Sequence, residues 1–149
     1  MNNKGFTVVE LIAAFSITMI ISVFLFELLI EVKDIFVETS LKTSIEEKTA
    51  IISKNIYNMF QEENNSITSC DKKSCTVNEN KIEFGENYIR IGEQKFTMPK
   101  DGSKNIKIEN SSIKNVTGNS NDGYIKISFD LISDNLSKPY KYNTVFYYN

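Results

Sequence analysis

The sequence contains no histidine and no tryptophan, and only two prolines, two cysteines and six glycines among its 149 residues. Without histidine the chain lacks the commonest general base and the commonest metal ligand, and it can form no Ser-His or Cys-His nucleophilic pair. It also lacks GxxxxGK[ST] and a GxGxxG opening a helix, the glycine-rich loops that cradle phosphates. Two cysteines unaided by histidine cannot complete a zinc site. No catalytic residue, cofactor site or metal site is therefore expected, and the chain does not read as an enzyme. The charges are 17 basic and 19 acidic, a net of −2, and they are interspersed rather than blocked. That balance gives no long-range attraction to polyanions, so nucleic acid is not an expected partner.

The amino terminus departs from this polar average. Met1-Asn2-Asn3-Lys4-Gly5 is short and basic, and Phe6-Thr7-Val8-Val9-Glu10 follows. Residues 11–26 then form an apolar run broken only by Ser16, Thr18 and Ser22. As a helix, residues 6–30 would extend roughly 37 Å, enough to cross a hydrocarbon core of about 30 Å. The run holds ten Leu, Ile, Val or Phe side chains. Each favours insertion by about 0.3 to 0.6 kcal/mol. Lys4 places the amino end in the cytoplasm and the carboxy-terminal bulk outside. A cleaved secretory signal would show a small-x-small site after its apolar core, whereas Phe24-Leu25-Phe26-Glu27-Leu28 stands there. A plain signal anchor leaves Glu10 unexplained, because a carboxylate inside a bilayer costs up to about 3 kcal/mol at the centre and less near the edge.

The segment Lys4-Gly5-Phe6-Thr7-Val8-Val9-Glu10-Leu11-Ile12-Ala13-Ala14 resembles the leader of type IV prepilins and type II secretion pseudopilins. The pattern is a basic residue, Gly, an aromatic, Thr, two aliphatics, Glu and a long apolar run, and the likeness covers residues 4–26. The resemblance implies cleavage after Gly5 by a prepilin peptidase and N-methylation of the new terminal Phe6. It implies that the apolar run stays as a membrane anchor and later becomes filament core. Glu10 would then neutralise the Phe6 amine of a neighbouring subunit, since a paired buried charge is tolerated and fixes register. The blander account of Glu10 is a position at the headgroup boundary. Implied partners are the peptidase, other pilin or pseudopilin subunits and the inner-membrane assembly platform. One departure is notable: no proline precedes Pro99, so the late helix kink of many major pilins is missing. Glu27 stands in that neighbourhood, roughly 31 Å from Phe6 along the axis and near the outer bilayer surface. A straighter helix points to a minor pilin or pseudopilin.

Residues 27–63 contain neither Gly nor Pro, and Ile35, Leu41, Ile45, Ile52, Ile56, Met59 and Phe60 recur near helical spacing. The expectation is one helix from residue 6 to about residue 60, apolar all round in its first half and amphipathic in its second. Asn64-Asn65-Ser66 marks its end. Cys70 and Cys75 enclose four polar residues, which suggests a small disulfide loop outside the cell, although a reduced pair stays open. From there the period changes to two. Residues 81–84, 88–91 and 95–98 read as a meander; 105–109 and 113–117 are weaker strands; 124–131 and 140–148 close the chain. The fold class is α+β, a long helix packed on a carboxy-terminal antiparallel sheet, which is also the pilin arrangement. The expected organisation is a leader over 1–5, a transmembrane and filament-core helix over 6–30, its extracellular amphipathic half over 31–63, and a small β-rich domain over 64–149.

Weaker signals have simpler readings. Lys138, Tyr140, Lys141, Tyr142, Phe146, Tyr147 and Tyr148 interleave bases with aromatics, as single-strand binders do. A final strand with one buried and one wet face is the better account of them. Asn119-Ser120-Asn121-Asp122-Gly123 lacks the downstream bidentate Glu of a calcium loop and reads as a turn. The rival function is a signal-anchored extracellular binding module that never polymerises. An anchored enzyme would need a carboxylate pair, for which Asp130 and Asp134 are available.

Overall fold

The structure, a computed structural model, describes residues 7–60, 67–77, 80–117 and 123–148. The chain divides into two units, the first ending at Val37 and the second beginning at Glu38. The first consists, among described residues, of the opening of helix α1 (Val8–Phe60). It is long and apolar enough to cross a membrane, and none of its apolar window is buried among the described residues. Leu11, Phe15 and Phe24 are each more than 60 % exposed. Three hydroxyls interrupt this surface, and each donates to the carbonyl one turn back: Ser16 to Ile12, Thr18 to Ala14 and Ser22 to Thr18, all at 2.8 Å. The stretch therefore shows no unpaired side-chain hydroxyl to its surroundings, as a lipid environment requires.

In the second unit α1 becomes one-sided. Leu41, Ile45, Thr49, Ile52, Ile56, Met59 and Phe60 are buried, a stripe at steps of three and four, while Glu46, Glu47, Ala50, Lys54 and Tyr57 face solvent. The strands are antiparallel and form three sheets, where a single sheet was expected. The first is a five-stranded meander of β1 (Ile67–Cys70), β2 (Ser74–Val77), β3 (Asn80–Phe84), β4 (Tyr88–Ile91) and β5 (Gln94–Thr97). A two-stranded hairpin of β6 (Lys100–Asp101) and β7 (Lys104–Asn105) follows. The last is three-stranded, in the order β10-β9-β8, from β8 (Lys107–Thr117), β9 (Gly123–Ile132) and β10 (Tyr140–Tyr148). The helix and both larger sheets meet in one core. Ile45, Ile52, Val77, Ile82, Ile106, Ile125, Ile127 and Leu131 are fully buried there, and burying each such side chain favours folding by about 1.5 to 3 kcal/mol.

Local chemistry explains the turns. The β4–β5 hairpin has the two-residue loop Gly92-Glu93, and Gly92 sits at φ 57°, where a side chain would be strained. A Cβ there would also come within 2.8 Å of the Asn80 carboxamide. Of the two weaker strands expected over 105–109 and 113–117, residues 107–109 and 113–117 are parts of one strand, β8, whose register slips between Glu109 and Ser112, while Asn105 ends β7. Asn110 adopts φ 50° at that bulge and donates Nδ2 to Asp130 Oδ2 at 2.8 Å. β8 also accepts no isolation from the meander: Ile108 N donates to Glu86 O at 2.7 Å and Ile113 N to Lys72 O at 3.1 Å. These bonds fasten the two larger sheets to each other.

Candidate functional site

Gly5 and Phe6, the residues of the expected cleavage and methylation, lie outside the described residues. The structure begins to describe the segment at Thr7, and Thr7 and Glu10 cap the helix between them. Glu10 N donates to Thr7 Oγ1 at 3.3 Å, and Glu10 Oε2 accepts from both Thr7 N and Thr7 Oγ1 at 2.9 Å. Leu11 N donates to Thr7 O at 3.1 Å and opens the helical ladder. Thr-x-x-Glu is the reciprocal capping box, which satisfies two of the amide donors a helix start leaves free. Its spacing was legible in Thr7-Val8-Val9-Glu10, yet sequence reasoning assigned Glu10 only to charge pairing or to the headgroup boundary. A carboxylate at a helix N-terminus is also favoured by the macrodipole. Glu10 thus has a structural task within one chain, and it remains exposed.

Cys70 and Cys75 are joined by a disulfide. They are directly paired across β1 and β2, with Asp71 N donating to Ser74 O at 2.7 Å in the loop between them. Cys75 is buried in the core, so the bond pins the edge of the meander to the interior.

Where the helix enters the second unit, Glu38 Oε1 gathers three partners. Lys42 Nζ lies at 2.8 Å, Ser137 Oγ donates at 2.7 Å and Ser137 N at 3.4 Å. Lys42 above all, with Ser137, holds the Glu38 carboxyl down at about 2. Further along, Tyr142 hydrogen-bonds Ser53, and burial pushes its phenol above the ordinary value.

The two aspartates considered as a pair are not assembled as one. Asp130 takes the Asn110 carboxamide, and Asp134 takes Lys104, whose ammonium it raises in pKa. Asp101 receives the Ser133 hydroxyl and the Asn135 side chain, and the Ser133 bond leads in lowering its pKa. A cleft of about 710 Å³ opens beside these groups, lined by Glu86, Lys104, Lys107, Glu109, Ser133 and Asp134. Its charges are of both signs, three acidic and two basic, and Ser133 and Asp134 are occupied by the bonds just described. Among the described residues no group of three His, Cys, Asp or Glu side chains is placed to hold a metal ion. Of the carboxy-terminal bases and aromatics, Tyr142 and Phe146 turn inward, Phe146 stacking on Phe60 at 5.8 Å, whereas Lys141 and Tyr147 face solvent. They do not share one surface. The turn expected at Asn119 to Asp122 lies outside the described residues. No family model, no curated protein and no solved structure matches this chain.

Proposed function

We propose that this chain is a prepilin-type subunit, a minor pilin or pseudopilin of a type IV pilus, competence pilus or type II secretion filament. It is cut after Gly5 by a prepilin peptidase, methylated at Phe6 and assembled through α1. The observation that carries the reading is the apolar surface of α1 between Val8 and Phe36, left exposed among the described residues, joined to Lys4-Gly5-Phe6 and Glu10 at its start. In water such a surface costs about 25 cal/mol per Å² left exposed. Lipid satisfies it before assembly, and neighbouring helices of the same kind satisfy it afterwards. The amino end stays cytoplasmic, the second unit lies outside, and the assembly platform passes the subunit into the filament. A long helix against antiparallel sheets, with a disulfide in the outer domain, suits a pilin-like fold and supports the same reading.

The test is the mass of the amino-terminal peptide of protein isolated from its own cells. A chain starting at N-methylated Phe6 is the expected result. An intact Met1, or cleavage beyond Phe26, overturns it in favour of a signal-anchored extracellular binding module.

A further inference from the structure

Among the described residues, two backbone bonds carry β8 to the meander, and the bulge of β8 lies between them. Ile108 N, before the bulge, donates to Glu86 O in the turn between β3 and β4 at 2.7 Å. Ile113 N, after the bulge, donates to Lys72 O at 3.1 Å. Lys72 stands in the loop that the Cys70–Cys75 bond closes. The next carbonyl, Lys73 O, accepts from Phe84 N at 3.0 Å, at the end of β3. One short loop thus offers a carbonyl to each of the two larger sheets.

Little besides the disulfide keeps that loop in place. Asp71, Lys72 and Lys73 are exposed, so burial does not fix it. β1, which leads into it, is an edge strand of four residues with a register slip between Ile67 and Ser69. A short edge strand interrupted in this way has few ladder bonds to hold it, and segments of that kind open locally at low cost. The sulfurs are also unequal. Cys75 is 1 % exposed, whereas Cys70 is only partly buried. A reagent arriving from solvent therefore reaches Cys70 first.

We infer that the Cys70–Cys75 bond is a redox latch on the seam between the two larger sheets, worked from Cys70. Opening it takes a dithiol. One thiolate of the reagent attacks Cys70 Sγ and forms a mixed disulfide, and Cys75 leaves as a thiolate that takes up a proton. The second thiolate then attacks the reagent's own bound sulfur. Cys70 leaves and is protonated, and the reagent departs as a cyclic disulfide. Two electrons and two protons pass from the dithiol to the protein. Closing reverses these steps against a disulfide-bearing oxidant. With the latch open, the end of β1 parts from β2 and Lys72 O leaves Ile113 N. The bond at Glu86 involves neither the loop nor its sulfurs, so the first half of β8 stays fastened. The second half loses its hold on the meander while the domain stays folded. The inference concerns the second unit alone and does not depend on the filament reading.

The test is amide exchange of the full chain in detergent, read at single residues by NMR before and after dithiothreitol. On reduction the Ile113 amide exchanges about tenfold faster, while the Ile108 amide keeps its rate. An unchanged rate at Ile113 would overturn the latch. So would equal acceleration at Ile108 and Ile125, which marks unfolding of the whole domain. A second measurement follows the capture of oxidised glutathione by single variants. Cys75→Ala, which leaves Cys70, takes up glutathione about tenfold faster than Cys70→Ala, which leaves Cys75, and guanidinium removes the difference. Equal rates without denaturant would overturn Cys70 as the point of entry.

Discussion

Tyr142 and Ser53, 89 residues apart in sequence, share a hydrogen bond that ties the last strand to the middle of the helix. Ser53 Oγ also donates to Thr49 O at 2.8 Å, and the Tyr142 ring stacks on Phe129 at 4.6 Å. Tyr142→Phe keeps the ring and removes the hydroxyl, so it should cost about 1 kcal/mol. Tyr142→Ala opens a hole beside Phe129 and should cost about 3 kcal/mol or more. Denaturant unfolding of the full chain in detergent, followed by tyrosine fluorescence, separates the two. Equal losses would mean that the ring contributes nothing beyond its hydroxyl.

The Thr7–Glu10 capping box separates geometry from charge at the start of α1. Gln also serves at the third position of such a box, so Glu10→Gln should leave the helix start intact while removing the carboxylate charge. On the filament reading the subunit is then made and processed but does not assemble. Thr7→Ala keeps the charge and loses a cap, at a cost of about 1 kcal/mol of helix stability, and should still assemble. Recovery of sheared filaments and amide exchange at residues 8–11 read the two effects separately. Assembly of the Gln variant at wild-type yield would reduce Glu10 to a cap.

Glu38 gives the second unit an acid-sensitive contribution to stability. Its folded pKa of about 2 lies below the ordinary 4.5, so its bonds to Lys42 and Ser137 stabilise fully above pH 4.5. That stability falls as the pH drops from 4.5 toward 2, because the unfolded chain takes up the proton first. Glu38→Gln should flatten the stability curve across this window and leave its neutral part parallel to wild type. Thermal unfolding at half-unit pH steps is the measurement; identical slopes for the two proteins would detach Glu38 from the acid response.

Reduction of the Cys70–Cys75 bond frees a loop of only six residues, and loops that short restrain the unfolded chain by about 2 kcal/mol. Dithiothreitol should therefore lower the melting temperature by several degrees without unfolding the domain. The buried Cys75 should react with an alkylating reagent more slowly than Cys70, which is partly exposed. Complete unfolding on reduction would show that the meander depends on its staple.

Much of the architecture was legible where one residue type repeats at one period. Ile45, Ile52, Ile56 and Met59 announce a buried helix stripe, and Ile125, Ile127, Phe129 and Leu131 announce β9. Elements that depend on a distant partner were not. β1 and β2 are four residues each, rich in Ser, Thr and Cys, and hold their place by pairing with each other and with β3. Asn110-Ser111-Ser112 has the composition of a turn, and only its pairing with β9 makes it a bulge inside one strand. The division into separate sheets is likewise a matter of which edges meet, which periodicity does not encode. The capping box was readable and was overlooked because the resemblance offered a different role for the same carboxylate.

The hydroxyls of Ser16, Thr18 and Ser22 have a consequence for the subunit's history. Each is satisfied by its own helix, one turn back, so the segment brings its polar partners along wherever it goes. Moving it out of fatty surroundings and into contact with protein breaks no hydrogen bond and requires none to be made. The exchange is then governed by shape and dispersion alone, which change gradually as neighbours come and go. On the filament reading, a helix solvated in this self-sufficient way would leave protein contacts as readily as it entered them, and the bilayer would serve as a reservoir for the subunit.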